Sequence, residues 1–121
     1  IVTTAEMFHL TYDRLDATCL GALQVDADGN VNVSRRGDGP RGYVGPGGFI
    51  DLTTAAKTIV FVSAWMDRGR VVLDNGSVSI AGAGTPKFVE RVDEVTFNGR
   101  QALAAGKRVF YATHVGLFRL T

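Results

Sequence analysis

The chain has 121 residues, the size of one domain or part of one. A hydrophobic fraction of 45% is ordinary for a globular protein and gives no reason to expect disorder. With 13 basic residues against 12 acidic ones there is no basic excess for a nucleic-acid surface, and no apolar run nears the roughly 20 residues that span a bilayer.

Neither nucleic acid nor membrane is therefore an expected partner. The opening Ile1-Val2-Thr3-Thr4-Ala5-Glu6-Met7 lacks an initiator methionine and the charged-then-apolar layout of a signal peptide, so it reads as the interior of a longer polypeptide. Cys19 is the single cysteine, which excludes an internal disulfide and fits a reducing compartment, with the cytoplasm as the expected location.

In chain order, Thr3 to Leu10 predicts a short helix: Thr3 stands three residues before Glu6, at capping-box spacing, and Met7, Phe8 and Leu10 give it an apolar side. Leu15 to Val25 is mostly apolar, and its second half predicts a buried strand. Asp28-Gly29-Asn30 marks a turn and Val31 to Ser34 a returning strand. Arg35 to Tyr43 holds three Gly, one Pro and three Arg, a loop composition.

Gly45-Pro46-Gly47-Gly48 precedes two turns of helix, with Phe49, Leu52 and Ala56 on one side. Thr58 to Ala64 has the β-branched and aromatic make-up of a central strand. Val71–Leu73 and Val78–Ile80 flank Asn75-Gly76, a type I′ hairpin signal. A flexible turn is expected at Ala81–Gly84 and a strand at Val92–Phe97. Asn98 caps a short helix that has Gln101 at the reciprocal position and ends at Gly106. Lys107–Thr113 and Val115–Thr121 predict two final strands. The expected fold class is α/β, β-rich with short helices, leaving sheet faces that nothing in the chain obviously covers.

Four stretches in order resemble the family I CoA-transferases, of the acetate/propionate or short-chain acyl-CoA:acetate type. They are Leu20–Asp26, Gly29–Ser34, Gly45–Asp51, and Lys87–Glu90 through Val95–Thr96–Phe97, and the similarity runs over roughly residues 5 to 120. The resemblance implies the β-rich later half of an open, Rossmann-like domain. Residues 1–121 would be the C-terminal portion of one catalytic domain, truncated at both ends. A Ser-Glu-Asn-Gly segment bearing the catalytic glutamate would lie upstream. The chain departs from the pattern at Tyr12–Asp16, which lacks extra glycines, and at Trp65-Met66-Asp67, where relatives tend to carry small and hydroxylated residues. Both departures bear on acyl-chain preference.

The implied activity is transfer of CoA between an acyl-CoA and a small carboxylic acid through a glutamyl-CoA thioester. CoA would be a substrate, with no permanently bound cofactor, and this chain alone would not turn over. The remaining CoA-transferase segments or subunit are the expected partners, in a homo-oligomer. By resemblance Gly48 offers its backbone N–H to an oxyanion hole, with Gly47 setting its conformation and Gly45 beside the CoA. The residues by themselves also admit a turn that merely caps a helix. Gln24 and Asn32, amides on apolar strands, either pair with a pantetheine arm or bond to neighbouring backbone.

Other functional readings find less support. His9 and His114 have no third ligand at metal spacing, and no Gly-x-Ser-x-Gly elbow supports serine hydrolysis. Arg35, Arg36 and Arg41 either meet CoA phosphates or form a solvated loop. The competing reading from another class is a non-catalytic CoA- or acyl-CoA-binding module on the same scaffold. A thioester hydrolase would need a water-activating base that no motif assigns.

Overall fold

The computed structural model describes residues 1–121. Its centre is a four-stranded sheet in the order β1 (Ala17–Leu20), β4 (Thr58–Val62), β9 (Arg108–Thr113), β10 (Gly116–Arg119). The first three strands are parallel and β10 returns antiparallel through the His114-Val115 turn. The mixed α/β architecture expected from the sequence is the one found.

Three helices accompany the sheet. Helix α1 (Thr4–Arg14) begins at a complete capping box: Thr3 Oγ1 accepts from the Glu6 N–H, and the Glu6 carboxylate accepts from the Thr3 N–H at 2.7 Å. It runs four residues beyond the expected Leu10. Helix α2 (Phe49–Ala55) follows the glycine turn. Helix α3 (Gly99–Ala104) is capped by Asn98, whose Oδ1 accepts from the Gln101 N–H, and Gly106 closes it at φ 77°.

The core lies on one face of the sheet. Phe61 of β4 is 1% exposed, with the rings of Phe49, Phe97 and Tyr111 at centroid distances of 5.8, 5.0 and 5.5 Å. Ile59, Val109 and Ala102 complete it, so α2 and α3 both pack on this face. The strand register turns Cys19, Val60, Val62, Phe110 and Leu117 to the opposite face, where Val62 and Leu117 are more than half exposed. No helix of the chain lies there, as the shortage of helix led one to expect.

Shorter pairings surround the sheet. β2 (Gln24–Val25) pairs with β3 (Val31–Asn32), and β5 (Met66–Asp67) with β8 (Thr85–Pro86). β6 (Arg70–Asp74) and β7 (Ser77–Gly82) form the hairpin, with Asn75 and Gly76 at φ 45° and 82° as a type I′ turn requires.

Three expectations are corrected. The apolar run Leu15–Val25 is not one strand with its order in the second half. β1 occupies its first half, the chain leaves the sheet at Gly21, and only Gln24–Val25 pair again, with β3. Apolar density cannot reveal where a buried strand stops. Val92–Phe97 forms no strand, because side chains take the N–H groups a ladder would use. Asp93 N–H donates to Gln24 Oε1, and only the Thr96–Phe97 end meets the Val31 backbone. Finally, Ala81 and Gly82 extend β7 instead of turning, since the I′ turn sets a register that carries pairing as far as Arg70.

Candidate functional site

Parallel strands β1 and β4 end side by side, and the crevice beyond the carboxyl ends of such strands is where open α/β sheets hold ligands. After Leu20, residues Gly21, Ala22 and Leu23 form one wall of a cleft of about 480 Å³. Val33 lies beside them, and Gly45, Pro46, Gly48, Phe49 and Leu52 make the opposite wall. None of the ten lining residues is ionisable.

The glycine turn owes its shape to two left-handed residues, Gly45 at φ 78° and Gly47 at φ 56°. A Cβ at either would meet nothing within 4 Å, so their requirement is conformational. Gly48 differs: its φ of −81° suits any residue, but a Cβ there would lie 3.0 Å from Phe8 Cζ. Phe49 N–H donates to Pro46 O at 3.1 Å, and Leu52 N–H to Gly48 O at 3.1 Å. The N–H groups of Gly47 and Gly48 donate to no protein acceptor. The turn thus offers unpaired backbone donors beside an apolar cleft.

Its surroundings hold the turn in place. Tyr12 of α1 donates to Asp51 Oδ1 at 2.7 Å, tying α1 to α2, and that bond raises the Tyr12 pKa. At the far end of α2, Lys107 Nζ donates to the carbonyls of Thr54 and Ala56, both at 2.7 Å. Desolvation there lowers the Lys107 pKa. Ahead of the glycines, Val44 N–H donates to Ser34 O, while Ser34 Oγ and Tyr43 OH both donate to Glu94 Oε1.

The two amides do not line this cleft. Asn32 is fully buried and its hydrogen-bonding capacity is filled internally. Its Nδ2 donates to Gln24 Oε1 (2.7 Å) and Arg35 O (2.8 Å), and its Oδ1 accepts from the N–H groups of Ser34 and Arg35, each at 3.0 Å. Gln24 Nε2 donates to Asp93 Oδ2 at 2.9 Å, leaving one N–H of Gln24 uncommitted. Gln24 lines a second, polar cleft of about 260 Å³ that shares Leu23 with the first and also contains Arg35, Arg36, Asp67, Lys87 and Asp93.

Lys87, which the sequence did not single out as a site residue, also lies in the polar cleft. Its Nζ donates to Ala22 O at 3.0 Å and Ser63 Oγ at 3.2 Å, so an ammonium sits where β1 and β4 end. The only signal was a lone lysine between Pro86 and Phe88. Arg35 is folded onto its own loop, with Nε on Gly37 O and an ion pair to Asp38, whereas Arg36 and Arg41 are exposed. His9 and His114 are not brought together with other ligands: no group of three metal-binding side chains occurs. No helix is long and apolar enough to cross a membrane.

No protein-family model matches the chain. It is 36% identical to the caffeate CoA-transferase of Acetobacterium woodii over 94% of its own length, and 32% identical to the acetate CoA-transferase YdiF of Escherichia coli over 88%. These matches span 22% and 20% of the two relatives, so the chain corresponds to about a fifth of either. The fold superposes on the acyl-CoA transferase YdiF of Escherichia coli O157:H7, solved as a thioester complex with CoA, with a TM-score of 0.89 and 30% identity. That likeness covers 100% of this chain and 24% of YdiF.

Proposed function

We propose, from the chain's place in the family I CoA-transferases, that the intact protein moves CoA between an acyl-CoA and a small carboxylic acid. Residues 1–121 contribute the oxyanion-hole turn and part of the CoA channel as the later portion of one catalytic domain. The observation that carries this reading is the Gly47–Gly48 turn, whose two N–H groups have no protein acceptor and stand beside an apolar cleft at the strand ends.

The chemistry follows from what those donors can do. A glutamate carboxylate attacks the thioester carbonyl, forming a C–O bond, and expulsion of the thiolate breaks the C–S bond to leave an acyl–glutamyl anhydride. The CoA thiolate then attacks the glutamyl carbonyl, releasing the first acid and leaving a glutamyl-CoA thioester. Attack on that thioester by the second acid, followed by return of the thiolate to the new acyl group, completes the exchange and regenerates the carboxylate.

Each addition places negative charge on a carbonyl oxygen. A fixed N–H aimed at such an oxyanion lowers the barrier by about 3 kcal/mol. Gly48 supplies that donor, Gly47 sets its direction through its left-handed backbone, and Gly45, left-handed too, shapes the turn beside the CoA arm. The cleft lining carries no carboxylate, which agrees with a nucleophile from a preceding segment. Gln24 keeps one N–H for a pantetheine amide, whereas Asn32 acts by holding Gln24 and the Ser34–Arg35 backbone in place. The bare sheet face around Val62 and Leu117 suits cover by further segments or a second subunit.

The test is an exchange assay on the intact protein with acetyl-CoA and propionate, following propionyl-CoA by mass spectrometry. A glutamyl-CoA adduct should accumulate when acyl-CoA is supplied without acceptor. Stoichiometric CoA binding with neither exchange nor adduct would mean a CoA-binding module instead.

A further inference from the structure

Two lysines of the molecule have a half-buried ammonium held by two neutral oxygens: Lys107, which closes the end of α2 on Thr54 O and Ala56 O, and Lys87, which stands in the polar cleft. The Lys87 side chain is half-buried at the junction of the two clefts, yet it forms no ion pair. An ammonium has three donors, and the protein engages two of them, both with neutral oxygens: Ala22 O at 3.0 Å and Ser63 Oγ at 3.2 Å. The third donor is left for an anion that can reach the cleft, since a charge-assisted bond to an anion is stronger than one to a neutral oxygen.

Position narrows the choice of anion. The backbone of Lys87 is clamped on both sides, its N–H donating to Trp65 O and its C=O accepting from Val25 N–H. The ring of neighbouring Phe88 stacks on Trp65 at 4.4 Å. The ammonium therefore has a fixed origin at the ends of β1 and β4 and is not a mobile surface charge. The other charged groups of the polar cleft differ from it. Arg35 is paired with Asp38, Asp93 accepts from Gln24, and Arg36 and Asp67 are exposed. A volume of about 260 Å³ accommodates a small acid and not a whole nucleotide-bearing cofactor.

We propose that Lys87 binds the carboxylate of the small acid substrate through the ammonium donor that the protein leaves unused, and so sets the affinity for that acid. This inference rests on the transferase reading for the identity of the ligand, but its test does not need turnover. Acetate binding to the intact protein is titrated by saturation-transfer NMR, and CoA binding by calorimetry, for wild type, Lys87→Met and Lys87→Arg.

In Lys87→Met the acetate affinity should fall at least tenfold while the CoA affinity changes less than twofold, with partial recovery in Lys87→Arg. In the exchange assay the same loss should appear in KM for the acid and not in KM for acyl-CoA. A large loss of CoA affinity with acetate binding unchanged would assign Lys87 to a CoA phosphate and overturn the proposal. Equal, small effects on both ligands would make it a structural tie between strand ends, which also overturns it. Should Lys87→Met fail to fold, Lys87→Gln and Lys87→Arg carry the same comparison. A wild type that binds acetate without exchanging CoA would sink the transferase reading and leave the Lys87 assignment standing.

Discussion

Replacing Asn32 by alanine separates a structural amide from a ligand-binding one. The side chain is fully buried and makes four hydrogen bonds between 2.7 and 3.0 Å, all within the protein. Truncation leaves the N–H groups of Ser34 and Arg35 and the carbonyl of Arg35 without that partner. At about 1 kcal/mol net per bond, and with some groups regaining water, the expected loss is about 2–4 kcal/mol. That corresponds to roughly a 30- to 1000-fold rise in the local opening constant.

Hydrogen exchange on the intact protein reads this directly. Amides of Ser34 and Arg35 should lose protection by that factor, while those of β9, whose residues make none of these bonds, change little. CoA affinity of the folded variant should fall only through displacement of Gln24, by no more than severalfold. A variant that kept its protection within threefold and lost CoA binding a hundredfold would refute the reasoning and make Asn32 a ligand contact.

Other expectations follow from single features. Gly47→Ala places a Cβ residue at φ 56° and should destabilise by about 1–2 kcal/mol with a clear loss of kcat, since the neighbouring N–H is re-aimed; thermal unfolding and the exchange assay report both. Gly48→Ala has an ordinary φ and only the Phe8 ring to displace, so it should cost about 1–3 kcal/mol, and Phe8→Ala in the same chain should relieve the crowding in a double-mutant cycle. Asn98→Ala removes the cap of α3 and should lower stability by about 1 kcal/mol in denaturant titration. Tyr111 donates to Gly29 O at 2.7 Å, and burial raises its pKa above the usual 10.0. Its contribution to stability is full below pH 10 and is lost as pH rises beyond it, so Tyr111→Phe should flatten the alkaline fall in melting temperature.

Much of the local structure is written in short-range chemistry, and for that reason the sequence shows it. Thr3–Glu6 reads as a capping box, Asn98 as a cap, Asn75-Gly76 as a I′ turn and Gly45–Gly48 as the entry to a helix, because each depends on residues within one turn of one another. The four ordered stretches likewise identify the family, and the β-rich composition with few helices foretells a bare sheet face.

What only the tertiary structure decides depends on partners distant in the chain. β1 stops at Leu20 because a parallel sheet ends at its crevice, and Val92–Phe97 is no strand because Gln24, 69 residues from Asp93, takes the N–H that a ladder would need. The internal partners of Asn32 come from where Gln24 and Arg35 lie, and those of Lys87 from Ala22, 65 residues away, and Ser63, 24 away. A polar group's role is set by which acceptors surround it, and folding brings those acceptors from segments whose separation in sequence carries no signal of their meeting.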